Sequence, residues 1–377
     1  MNRRRLLHLT TTDISLELLL GPQLDAFREA GYEVHAASAP GEFVEAIEAR
    51  GVTFHALEHS TRSMAVAADV RAAIEVFKLI RRIRPDVVHT HNPKPGVYGR
   101  IGARLARVPA VVNTVHGLYA QPTDPRIRRL AVYSLERLAA SFSHAELVQN
   151  EEDVSTLRRL RVPADKLQVL GNGIDLRRFR PDADHREAVR REIGVDRGTV
   201  VVGAVGRLVA EKGYPELFEA WRQVRRAHPA AKLVVAGPHE PDKADALSPA
   251  LIDEAVEAGV VLLGHRHDIE RLYPAFDLYV LASHREGYPR SAMEAAASGV
   301  AVVATDIRGC RQVVDGSNGV LVPPRNAAAL AANLIDLIDD EPRRTAMGRA
   351  GLTKAAAEFD QQRVIDITLA TYERLLR

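Results

Sequence analysis

Residues 279–299 read YVLASHREGYPRSAMEAAASG. An apolar, β-branched run, strand 278–283, passes into a polar turn at His284–Pro289. A helical pattern then starts from about Arg290. A short strand that is apolar throughout suits a parallel sheet buried on both faces. A strand feeding a helix through a tight turn is half of a βαβ unit. Working outward, the same unit repeats. Strands are expected in RRLLHLT, YEVHAAS, DVVHT, AVVNTV and AELVQN, and again in TVVVGAVG, AKLVVAG, VVLLG, DLYVLAS and VAVVAT. Helices are expected over 16–30, 66–83, 125–141, 215–228 and 326–339. The alternation runs through two series. The fold class is therefore α/β, with two Rossmann-like domains of parallel strands. The polar stretch 176–198 is read as their boundary. That places a first domain at 1–180, a second domain at 181–359, and a final helix at 360–377 whose apolar positions are Val364, Ile367, Leu369 and Leu375.

Open α/β sheets bind ligands beyond the carboxyl ends of their strands, so the turns carry the chemistry. In the opening segment Glu286 sits in the turn and Glu294 about one turn inside the helix. The free N–H groups and positive dipole end between them suit a phosphate. Each carboxylate can accept hydroxyl hydrogen bonds, one from a sugar and the other from a ribose. The bland reading is that both are helix-start acids, which the dipole favours. The earlier segment VVGAVGRLVAEKGYPELFEA puts Gly206, Arg207, Lys212 and Gly213 on one strand-end loop. A guanidinium fork and an ammonium can flank a diphosphate there and stabilise it as a leaving group without a metal. By itself this is an ordinary charged loop. In order with the two glutamates it points to a nucleotide-sugar site. A glycosidase pair of carboxylates is disfavoured, because a Rossmann-like strand-end site with a cationic diphosphate loop argues for a nucleotide leaving group.

In the first half, HTHNPKPGVYGR follows a strand, and its NPKPG is read as a loop carrying Lys94. His89 and His91 alternate on one strand face, and His116 ends the next strand in NTVHG. Without a cysteine partner or an acidic ligand at usual spacing, the metal set is read as none, and His89 and His91, sharing one face, could both be structural.

These pieces are similar to family 4 retaining glycosyltransferases of the GT-B fold, two facing Rossmann-like domains. The motifs are GNGID, GR-x4-KG, LGHRHDIERLYPAFDLYVLAS, EGYPRSAMEA, ASGVAVVAT and GVLVPP, covering essentially all of the second half. The resemblance implies a nucleoside diphosphate sugar donor, UDP-linked, a hexose or N-acetylhexosamine, and retention of anomeric configuration with no metal or other cofactor. It implies that Arg207 and Lys212 contact the diphosphate, that Glu286 holds the sugar and Glu294 the ribose, and that Arg266 to Ile269 lie beside the base. Gly206 and the turn residues Gly287, Tyr288, Pro289, Arg290 and Ser291 belong to the same donor site. The first half, through TTTDISLELLLGPQLDAFREAGYEV, HTHNPKPGVYGR and NTVHG, resembles the subgroup that builds lipid-linked or cell-surface oligosaccharides. There a histidine at the position of His116 lies near donor sugar and acceptor. Thr11, Thr12, Asp13 and Lys94 are candidates for the acceptor side, although TTTDIS lacks the glycines many relatives carry. The resemblance also implies that the C-terminal helix crosses back to the first domain. A nucleotide-sugar epimerase and a non-catalytic nucleotide-sugar-binding partner share the fold and are the alternatives.

Composition sets the surroundings. One cysteine, Cys310, allows no internal disulfide and fits a reducing compartment, the cytoplasm. The apolar run LLHL is too short for a secretion signal, and no window reaches the length of a membrane span. Net charge is +2, but residues 78–137 carry 12 Lys/Arg against three acids, or +9, leaving 2 − 9 = −7 elsewhere. Arg100, Arg104 and Arg107, then Arg126, Arg128, Arg129 and Arg137, alternate with apolar residues. That pattern fits either a solvated helix surface or a peripheral anionic membrane face bearing a polyprenyl-linked acceptor. No nucleic-acid partner is expected.

Overall fold

The computed structural model describes residues 3–61, 66–91, 93–120 and 124–377. They form two compact units, Met1–Gly171 with Gln362–Arg377, and Asn172–Gln361.

In the first unit, seven parallel strands are ordered β3-β2-β1-β4-β5-β6-β7. They are β1 (Arg5–Thr12), β2 (Glu33–Ala39), β3 (Thr53–Ala56), β4 (Val87–His91), β5 (Ala110–Val115), β6 (Ala145–Val148) and β7 (Leu167–Val169). In the second unit, six parallel strands are ordered β10-β9-β8-β11-β12-β13. They are β8 (Val201–Val205), β9 (Lys232–Ala236), β10 (Val260–Leu262), β11 (Leu278–Leu281), β12 (Ala301–Thr305) and β13 (Gly319–Val322). Both sheets are Rossmann-like. In each, the strand order reverses beside the first strand, between β1 and β4 and between β8 and β11, the place where such sheets bind ligands.

Both faces of each sheet are buried. In β11, Leu278 and Val280 enter one core cluster, and Tyr279 and Leu281 the other. In β1, Leu6 packs on one side and Leu7 and Leu9 on the other. The helix Gln361–Leu375 belongs to the first unit's core, where Val364, Ile365 and Tyr372 are buried beside Phe27 and Leu24.

Several local expectations change. NPKPG is no loop: a helix runs Pro93–Leu105. Proline suits a helix's first position, where its missing N–H has no intrahelical partner. Asn92 of that motif lies outside the described residues. TTTDIS is no loop either, because β1 extends through Thr12 and a helical segment starts at Asp13. Within the stretch 176–198, Ala183–Glu192 is a helix capped by Asp182. Its Arg186 and Arg190 pair with Asp277 of the second unit.

Candidate active site

The second unit places two loops side by side at its strand-order reversal. Gly206 and Arg207 follow β8, and Ala210–Lys212 form one 3₁₀ turn. Gly213 then turns the chain with φ +71 into the helix Tyr214–Ala227, and a Cβ on it would meet the Ala282 carbonyl at 2.0 Å. Only glycine lets this loop lie so close to the end of β11. The His284 N–H donates to the Glu211 carbonyl at 2.8 Å, and the Tyr214 hydroxyl to the Gly206 carbonyl at 2.8 Å. These bonds clip the loops together. Lys212 and Glu286 are joined directly, Nζ to Oε1 at 2.6 Å, and the Ser283 hydroxyl donates to the same oxygen at 2.7 Å. From the other side, the helix Arg308–Val313 closes on the Glu286 turn. A Cβ on Gly309 would lie 2.7 Å from the carbonyls of Glu286 and Gly287.

Arg207 lies on the same loop but pairs elsewhere, with Glu240 at 3.4 Å, and its side chain is 47% exposed. Glu294 sits in the helix Arg290–Ala297 and accepts from the Tyr273 hydroxyl at 2.7 Å. Burial pushes its carboxyl up, while the charge of Arg290 and the Tyr273 hydrogen bond pull it down. The Tyr279 hydroxyl, also buried, is a hydrogen-bond partner of Ser291. Tyr288 offers its carbonyl to Asn172 at 3.1 Å and its ring to Phe359. Pro289 caps the helix start. Arg266 is held by Asp268 and Glu192, and Ile269 opens the next short helix, packed on the core. Lys212, Glu286 and the Gly287–Ser291 turn are thus brought together, with Glu294 one helical turn further on. Arg207 and Arg266 are engaged with acids of the same unit. Ser283, Tyr273 and Glu240 are missed by the sequence reading. Ser283 lies three residues from its partner, but Tyr273 and Glu240 lie 21 and 33 away, where local pattern carries no signal.

In the first unit, β1 and β4 carry His8 and His89 at mid-strand, β4 ends at His91, and β5 carries Thr114 near its end with His116 just beyond it. His8 and His89 are register partners. Strand alternation puts these side chains on the face covered by Phe27 and Tyr372. His89 is bonded to the Tyr372 hydroxyl and, at 2.7 Å, to Thr114. His91 bridges His8 at 3.0 Å and His116 at 3.1 Å. Burial depresses all four rings: His8 to about 3, His116 to about 4, and His89 and His91 well below the usual value. Nitrogens of His8, His89 and His91 come within 4.8 Å of one another, close enough to be tested as metal ligands. Of the nitrogens on those three rings, only His8 Nε2 lacks a protein partner. A metal there would have to displace hydrogen bonds already made.

The other first-half candidates are structurally committed. Asp13 is buried and accepts from the N–H groups of Phe43 and Ile14. Thr11 gives its carbonyl to Ser60, and Thr12 ends β1. Lys94 pairs with Asp69 at 2.5 Å and donates to the Thr61 carbonyl. Arg100 leaves the basic surface altogether. It is 1% exposed and pairs with Glu146 and Glu136, because it faces β5 and β6 rather than solvent. The basic residues that stay outside are Arg104 and Arg107, then Arg126, Arg128 and Arg137, around exposed Leu105, Ile127, Leu130 and Leu138. Among the described residues no helix is long and apolar enough to cross a membrane.

Residues 185–354 match the group 1 glycosyltransferase domain, and residues 21–173 the glycosyltransferase 4-like domain. An Escherichia coli protein named UDP-Gal:alpha-D-GlcNAc-diphosphoundecaprenol alpha-1,3-galactosyltransferase is 30% identical over 74% of this chain and 73% of its own length. The Staphylococcus aureus capsular polysaccharide biosynthesis glycosyltransferase CapM is 26% identical over 100% of this chain and 99% of its own. Anabaena HepE, crystallised with UDP and glucose, superposes with a TM-score of 0.81 at 20% identity over 99% of this chain and 100% of its own, a likeness of fold. With two glycosyltransferase domains along its length and a 30% identical relative matched over nearly three quarters of both chains, this protein belongs to the group 1, family 4-like glycosyltransferases and has their GT-B fold.

Proposed function

We propose that this glycosyltransferase moves a hexose or N-acetylhexosamine from a UDP-linked donor to a polyprenyl-diphosphate-linked glycan, with retention and without a divalent metal. The observation that carries the donor half is the Lys212–Glu286 pair at the β8/β11 reversal. An ammonium has three donor directions. One holds Glu286, which orients the carboxylate, and the others remain for diphosphate oxygens. Glu286 accepts the sugar's hydroxyls, and Glu294, steadied by Tyr273, accepts those of the ribose. Arg207 swings from Glu240 onto the diphosphate. In the transfer step the acceptor hydroxyl attacks C1 from the face the diphosphate leaves. The C1–O bond to phosphorus breaks, and the hydroxyl proton passes to a departing phosphate oxygen. Lys212, held by Glu286, and Arg207, brought over from Glu240, stabilise the charge that accumulates there, which is the service a metal gives in other transferases.

The acceptor half rests on the relatives. The Escherichia coli protein above and a Campylobacter jejuni relative, 24% identical over 94% of this chain and 95% of its own, are both named for sugars carried on diphospho-undecaprenol. An exposed rim of Arg104, Arg107, Arg126, Arg128 and Arg137 with Ile127, Leu130 and Leu138 supports contact with an anionic bilayer where such a lipid resides. On this reading the protein works at the inner membrane face, in polysaccharide biosynthesis. His116, with Thr11, Thr12, Asp13 and Lys94 shaping its surroundings, is assigned to the acceptor side.

A panel of UDP-, GDP- and ADP-sugars, incubated with the chain and a polyprenyl-diphosphate-linked sugar in EDTA and read by product mass, tests the reading. UDP-dependent transfer that Glu286→Ala lowers by about 100-fold or more is expected. Unchanged transfer by that variant removes Glu286 from the site.

A further inference from the structure

His8, His91 and His116 are arranged as a line, with His89 packed beside it, its ring centroid 4.2 Å from that of His91. His8 and His91 have nitrogens 3.0 Å apart and ring centroids 5.2 Å apart. For His91 and His116 the figures are 3.1 and 5.3 Å. These centroid separations are nearly the largest those nitrogen distances permit. Each N–H therefore points along its neighbour's lone pair, as in a hydrogen bond and unlike ligands converging on one ion.

The line has a direction. Every ring is neutral, so each has one N–H and one bare nitrogen. His8 Nε2 is buried without a partner. A buried N–H left unpaired is rarer and costlier than a lone pair left unpaired. His8 Nε2 is thus the bare nitrogen and Nδ1 carries the proton, donating to His91 Nε2. His91 Nδ1 must then carry its own proton and donate to His116 Nε2. At the far end, burial depresses the His116 ring while a hydrogen bond with the Gln149 side chain raises it. Phe27, stacked on His8 at 5.4 Å, closes the buried end. The line stops inside the protein, so it is no route for protons to solvent.

We infer that His91 is the positioning residue of the acceptor side: its Nδ1–H, backed by His8, holds the His116 ring in one orientation and one tautomer, with Nε2 occupied. His116 therefore acts by shape and by polar contact at the sugar, and not as the base that takes the acceptor's proton. The inference rests on the proposed acceptor-side role of His116.

Two substitutions of His91 separate its two bonds. Asn places an amide donor where Nδ1–H stood, keeping the bond to His116. Gln places its amide where Nε2 stood, keeping the bond to His8 alone. The His91→Asn enzyme is expected to keep kcat within about threefold, while H91Q loses about 10- to 100-fold in kcat at nearly unchanged donor KM, as for a misplaced reacting-site group. Equal kcat values for the two folded variants, matched by melting temperature, overturn the inference. In parallel, ¹⁵N-histidine NMR of the full chain reads the tautomer without any assay. His116 Nε2 is expected to be unprotonated and hydrogen-bonded in the natural protein and in H91N, and released in H91Q. A protonated Nε2 in the natural protein also overturns it. If no sugar is transferred by any form, the functional reading fails while the NMR result still decides the tautomer.

Discussion

At the scale of single residues, the proposed donor site is built from pairs in which one member is unremarkable in the sequence. Glu286 is conspicuous beside a helix start. Ser283, which shares its Oε1 with Lys212, is one serine among many. Glu294 depends in the same way on Tyr273, a buried hydroxyl that donates to that carboxylate. Replacing Tyr273 with Phe removes the bond and little volume. A hydrogen bond to a charged group is worth about 1.5–3 kcal/mol, so donor KM should rise by roughly tenfold or more with kcat changed less. Steady-state kinetics on a varied UDP-sugar reads the split. A fall confined to kcat would place Glu294 at the reacting carbon and not at the ribose.

At the scale of elements, the strands were legible and their partners were not. Runs such as AVVNTV and VAVVAT are apolar at every position, because both faces are covered, and they stand out without any alignment. β3, β7 and β13 do not, since they are edge strands in which at most half the residues are buried. NPKPG misled because proline and glycine signal a turn in general, while here the proline opens a helix. His8 was missed because nothing in RRLLHLT says that register will set it against His89. Arg100 was misassigned because its helix shows the same basic spacing on its buried and its exposed side.

The buried histidine line has a consequence for the whole first sheet. His8, His89 and His91 stay neutral when folded, well below the ordinary value of 6.5. The unfolded chain takes up protons below about that pH and the folded chain does not. Stability is therefore flat above pH 6.5 and falls as the pH drops toward about 4, by up to about 1.4 kcal/mol per pH unit for each such histidine. Thermal melts across pH 4.5–8 check the sign. A melting temperature that holds or climbs on acidification would contradict neutral buried rings.

At the scale of the molecule, each unit brings its chemistry to the place where its strand order reverses. The exposed basic and apolar rim lies in the first unit, apart from both sheets' buried faces. Liposome sedimentation tests its use. Binding is expected to vesicles containing anionic lipid, to weaken at high salt, and to drop several-fold on Ile127→Ser with Arg128→Ser, since each basic side chain near such a surface contributes about 1 kcal/mol. Equal non-binding to anionic and neutral vesicles would leave the acceptor to be met in solution.

Lys212, Arg207 and the oriented Glu286 carboxylate are proposed to transfer a sugar with retention and no metal. The most direct measurement is one reaction in EDTA, with an α-linked UDP-sugar and a polyprenyl-diphosphate-linked acceptor, followed by proton NMR at the new anomeric centre. An α-linked product formed at the same rate with and without EDTA is the expected result. A β-linked product, a dependence on added divalent metal, or epimerised UDP-sugar formed without acceptor would contradict the account.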